Sequence, residues 1–139
     1  MKDNQTFLRA VLAWIFSGHV LTALMTLFSK EGGIRAGQRT YGGQFEANDQ
    51  FAYILRPAGA YVTAMAFLQA MALRDPKRYK AAIDATLIVF AIRGVQRLLF
   101  QKEISRVFGI SASRHWAMTI YFQVLAALLL IGRLQLEDE

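Results

Sequence analysis

The sequence predicts an all-α, polytopic membrane protein, an antiparallel bundle of four transmembrane helices in a single domain, on three observations. Of its 139 residues 55% are hydrophobic and mean hydropathy is +0.28, whereas a soluble domain draws about 45–50% of its residues from the apolar set. The apolar residues fall into four runs, each close to the ~20 residues that an α-helix, rising ~1.5 Å per residue, needs to cross a ~30 Å hydrocarbon core. The basic residues sit in short clusters between those runs, where they hold spans in place.

The first span covers about Phe7 to Phe28, interrupted by Ser17, Gly18, His19 and two threonines. It is too long for a signal-peptide core and meets no small-residue cleavage site, so it reads as a retained span. The segment 29–50 follows, rich in glycine and charge. It is expected as a loop outside the hydrocarbon, where water satisfies its backbone. The second span, about Phe51 to Leu73, carries Arg56-Pro57 near its start. Proline removes a backbone donor and disfavours α geometry just before it, so a kink or a fresh helix start is expected there. Gly59, Ala60, Thr63, Ala64, Ala66 and Ala70 supply small residues for close approach of a neighbouring helix.

The connection 74–80 (Arg74-Asp75-Pro76-Lys77-Arg78 and two residues beyond) is short enough to force an antiparallel neighbour. The third span, about Ala81 to Phe100, is the most polar, with Asp84, Arg93 and Arg97, and so belongs inside the bundle. A connector, 101–115, has Ile104, Val107, Phe108 and Ile110 to lay along the membrane interface. The fourth span runs from about Trp116 to Gly132, before an acidic tail of Glu137-Asp138-Glu139. Four spans put both termini on one side. The basic residues of 74–80 with Lys2, Arg9 and Arg133 favour the cytoplasm for it by a small margin.

The net charge of +6 suits an anionic membrane face better than nucleic acid, because no basic face with interleaved aromatics appears. The lipid bilayer is the expected partner, with other membrane subunits or a second copy beside it. The chain has no cysteine, which excludes thiolate nucleophiles, disulfide exchange and cysteine metal sites. Gly32 to Thr40 superficially matches a phosphate-binding loop, but Gln38 stands where the lysine belongs and no strand precedes it. His19 and His115 fall at different expected depths, His115 at the interface beside Trp116, which argues against a bis-histidine haem.

Seven residues remain as candidates for a site or a structural pair. Arg56, Arg93 and Arg97 share the outer half of the bundle with His19, and Tyr41 is expected at head-group level. Arginine's rigid fork suits bidentate oxygen partners, so this set reads as a pocket for an anionic lipid, a carboxylate or a quinone-like ring. Equally, the arginines could pair with Glu46, Asp49, Glu103 or backbone carbonyls and lock the helices together. Asp84 lies at the opposite end, level with Arg9, and the two are expected to form a structural ion pair.

Read together, Tyr41-Gly42-Gly43, Asn48, Arg56 with Gly59-Ala60-Tyr61, Asp75-Pro76 and Ile92-Arg93-Gly94 with Arg97 resemble the small four-helix membrane proteins of the DoxX-like and BphX-like type. The resemblance covers about Tyr41 to Arg97 and carries no catalytic residue. It implies a bacterial inner-membrane protein; DoxX-type members are associated with quinone-linked oxidoreductases and BphX-type members with aromatic-compound degradation gene sets. The expected function is a non-catalytic membrane subunit or accessory protein, with a lipid or quinone as its only expected small-molecule companion. A small enzyme acting on a lipid-soluble substrate through His19, Arg93 and Asp84, or an oligomeric transporter, are the alternatives.

Overall fold

Six α-helices follow one another in the computed structural model, which describes residues 2–46 and 48–136. They are α1 (Lys2–Phe28), α2 (Lys30–Tyr41), α3 (Asp49–Arg74), α4 (Lys80–Leu99), α5 (Gln101–Phe108) and α6 (Ala112–Leu134). Among the described residues there is no strand. Three helices, α1, α3 and α6, are long and apolar enough to cross a membrane. The polar α4 is not one of them, although its 20 residues reach ~30 Å. The acidic tail 137–139 lies outside the described residues.

The four long helices form a ring in which α1 packs on α3 and α6, and α4 packs on α3 and α6. Individual contacts fix the directions. Gly59, early in α3, abuts Thr26 and Leu27 at the end of α1, and Gly132, at the end of α6, abuts Leu8 at the start of α1. Arg133, late in α6, bonds Asp84, early in α4. Each neighbour is therefore antiparallel. The turn between α3 and α4 is held by Asp75 Oδ1, which accepts from the Arg78 amide at 3.1 Å.

Three expectations about local structure are corrected. Segment 29–50 is a helix over Lys30–Tyr41 rather than a loop: Ser29 Oγ accepts from the Gly32 amide, and Gly42 ends the helix in the left-handed conformation, φ 69°. Both caps satisfy backbone groups that a helix end leaves unpaired, and Glu31 adds an ion pair to Arg35 one turn on, at 2.7 Å. The glycines do not melt the helix because Gly33 lies against Met25 and Thr26 of α1, where a side chain would crowd. Connector 101–115 likewise contains a helix, α5. At Pro57, α3 neither ends nor restarts. The lost bond concerns only the carbonyl of Tyr53, and both residues lie on the exposed side of the helix.

The small-residue stripe of α3 divides. Ala52, Gly59 and Ala66 are buried at a spacing of seven, while Ala60, Thr63 and Ala64 are exposed. Gly59 is required where it stands, since a Cβ would collide with Thr26 Oγ1. Hydroxyls in the long helices are satisfied internally: Ser17, Thr22, Thr63 and Thr86 each donate to the carbonyl four residues back, which removes their cost in an apolar medium.

The apolar core lies at one end. Leu8, Leu12, Ile83 and Leu129 are fully buried there, with Val11, Ile15, Ala72, Ala82, Phe90 and Leu136 around them. The helices α2 and α5 close the other end.

Candidate functional site

At the end away from the core a cavity of about 510 Å³ opens beneath α2 and α5. Its walls come from four helices. Phe51 and Leu55 of α3 face Arg93, Gln96 and Arg97 of α4; Gly33, Ile34, Gly37 and Tyr41 of α2 and Glu103, Ile104, Val107 and Phe108 of α5 form the cover, with Ile110 behind. The residues expected to lie along the membrane interface thus line the cavity. A space of this size falls in the range of small-molecule sites, about 300–1,000 Å³.

The cover is built, not draped. Gln44 N donates to Phe108 O at 2.8 Å, and Gln38 Nε2 donates to Phe45 O at 2.9 Å, so the strand of chain leaving α2 is tied to the end of α5. Gly109 turns there with φ 61°, and a Cβ on it would meet Gln44 O at 2.8 Å. Phe45, Phe51 and Phe108 interlock, with edge contacts at 5.2 and 5.4 Å and a tilted one at 6.5 Å. This aromatic wall is apolar and rigid.

Arg97 is the most buried charge of the site, 5% exposed. Its Nε donates to Thr119 Oγ1 at 2.9 Å and Nη2 donates to His115 O at 3.2 Å, which ties α4 to α6. The Tyr41 ring lies 5.5 Å from its guanidinium carbon, a cation–π distance. Of the five N–H groups of a guanidinium, these bonds use two. Among the described residues no carboxylate reaches salt-bridge distance of Arg97 or of Arg93, which is exposed on the cavity wall.

The sequence-derived set is only partly brought together. Arg93, Arg97 and Tyr41 meet at the cavity. Arg56 is exposed on α3 and is not among the lining residues. His19 lies elsewhere, its Nδ1 2.9 Å from Ile15 O and its ring stacked 6.4 Å from Phe90; since a carbonyl only accepts, that nitrogen carries the proton. Asp84 is in an ion pair, but with Arg133: Nε–Oδ1 is 2.9 Å and Nη2–Oδ2 3.3 Å. Arg9 is exposed on α1 and is not the partner. The antiparallel α4–α6 pairing brings Arg133 alongside Asp84, and its planar fork takes both carboxylate oxygens.

His115 is fully buried, with neither ring nitrogen hydrogen-bonded, and it sits edge-on to Trp116 at 5.9 Å. Ser111, the N-cap of α6, whose hydroxyl accepts from the Arg114 amide, starts the helix four residues before it. The three residues weighed for acid–base chemistry do not come together. Asp84 and Arg93 are separated by roughly 13 Å along α4, and His19 belongs to neither region.

The chain matches no protein-family model, no curated protein and no solved structure. The short motifs that resemble DoxX-like and BphX-like proteins find mostly architectural places here. Gly42 and Asn48 cap helices, Gly59 and Gly94 sit against α1 and Gln123, and Asp75 holds a turn. Tyr41, Gly43, Arg93 and Arg97 among them line the cavity.

Proposed function

We propose that this chain is a non-catalytic, four-span protein of a bacterial inner membrane, with cytoplasmic termini, that holds a lipid-soluble amphiphile in the cavity under α2 and α5. It acts as an accessory subunit of a membrane assembly, in keeping with its resemblance to DoxX-like proteins. Arg97 supports this reading most: a cation that is 5% exposed, with N–H groups left over and no carboxylate partner, beside a roomy apolar chamber. Isolated buried charges are costly, and a polar head group in the cavity offsets that cost. The placement of α4 supports a fourth span, since its ring neighbours cover Arg97 and its Asp84 is neutralised by Arg133.

The test is the organic extract of protein purified in mild detergent, analysed by mass spectrometry. The wild-type chain is expected to retain a specific amphiphile in near-stoichiometric amount, and Arg93→Ala to lose most of it. An extract matching bulk lipid for both proteins overturns the reading.

A further inference from the structure

The charge balance of the cavity narrows the class of occupant, an inference that rests on the pocket reading above. Two guanidiniums, Arg93 and Arg97, face one carboxylate, Glu103, among the lining residues. The lining therefore carries one net positive charge, with the Arg97 part of it buried. A neutral ring or alcohol leaves that charge without a counter-ion. A dianion overshoots it and meets Glu103.

The geometry adds a second constraint. Thr119 and the His115 carbonyl fix the Arg97 guanidinium through two of its N–H groups, and the fork that remains suits two oxygens of one acid. The same lining includes the mutually packed Phe45, Phe51 and Phe108 with Leu55, side chains with no hydrogen-bonding group. The lining thus combines an arginine pair with an apolar aromatic cluster, and an occupant that matches both is amphiphilic.

We propose that the pocket selects a monoanionic amphiphile, its carboxylate or phosphodiester held by Arg93 and Arg97 and its hydrocarbon on the phenylalanine wall. Free anions lack the tail and lipid alcohols lack the charge. Glu103 acts as the selector against dianions.

Equilibrium binding to the full chain in phosphatidylcholine nanodiscs, with empty nanodiscs subtracted, tests this with laurate, lysophosphatidylglycerol, dodecanol, dodecyl phosphate and acetate as probes. Laurate, lysophosphatidylglycerol or both are expected to bind at least tenfold more tightly than dodecanol and acetate; which one does so separates a fatty acid from a phospholipid as the source. Arg93→Gln should weaken the preferred probe by about ten- to a hundredfold, the range of a charge-assisted hydrogen bond, and leave dodecanol unchanged. Arg93 has no tie to another helix, so that variant folds even if Arg97→Gln does not. Glu103→Gln should shift the ratio toward dodecyl phosphate by about two- to fivefold. Dodecanol binding as tightly as laurate overturns the anion claim while the pocket stands. Acetate binding as tightly as laurate overturns the amphiphile claim. No binding of any probe overturns the pocket itself.

Discussion

The two ends of α4 carry arginine contacts of opposite kinds. At its start, Asp84 takes Arg133 of α6 in a two-point bridge, directly beside the apolar core of Leu8, Leu12, Ile83 and Leu129. At its end, Arg93 and Arg97 stand against a cavity of about 510 Å³, with no carboxylate among the described residues bonded to either. One helix thus serves as a packed strut at one end and a wall at the other. The difference teaches that a charge on a long helix is not one kind of feature: Asp84, bridged to Arg133, aligns two helices, whereas Arg97 is held by a hydroxyl and a carbonyl beside open space.

The largest effect expected from this contrast lies in the packed half. Leu12 is fully buried in the core cluster, and Leu12→Ala should cost about 2–4 kcal/mol. That is the lower part of the range for leucine deletions in cores, because lipid is as apolar as the core and mainly the cavity term survives. Thermal unfolding of the detergent-solubilised protein measures it. A cost equal to that of Phe51→Ala in the cavity wall would erase the distinction between the halves.

A smaller cost is expected from Asp84→Ala, which removes the carboxylate bridged to the mostly buried Arg133. Solvent or head groups reach the Asp84 side chain, 46% exposed, so the cost is discounted to about 1–2 kcal/mol. Replacing both partners, Asp84→Leu with Arg133→Met, should recover most of it, since a buried pair is often matched by apolar residues of similar volume. If the double variant is less stable than either single one, the pair does more than align α4 with α6.

The helical class and the existence of the long helices were legible in the sequence because they follow from apolar run length, a local property. The end of the bundle where a site could form was legible too, from the depth of Arg93 and Arg97. Partner identity was not. Asp84 has Arg9 at its own level by depth, and only the ring order, which puts α6 beside α4, selects Arg133. Helix α2 was hidden by its glycines, although Ser29, the Glu31–Arg35 pair and Gly42 spelled out both its ends. The phenylalanine wall joins residues from two connections and one helix start, and no periodicity links Phe45, Phe51 and Phe108.

The smallest effect on stability should come from Arg93, the arginine proposed to hold an anion. Arg93 is exposed on the cavity wall and has no side-chain bond to another helix, so Arg93→Met removes a charge and keeps the aliphatic reach of the side chain. Its effect on thermal unfolding of delipidated protein should stay within about 0.5 kcal/mol, as for surface substitutions. In the presence of a bound amphiphile the comparison changes. A ligand that binds only the folded chain raises its stability by an amount set by concentration over Kd, so the wild-type protein should gain a ligand-dependent shift in Tm that Arg93→Met lacks. Equal shifts in the two proteins would make Arg93 a bystander, and an intrinsic loss above 1 kcal/mol without ligand would make it a strut like Asp84. Either result would join the two ends of α4 that the structure sets apart.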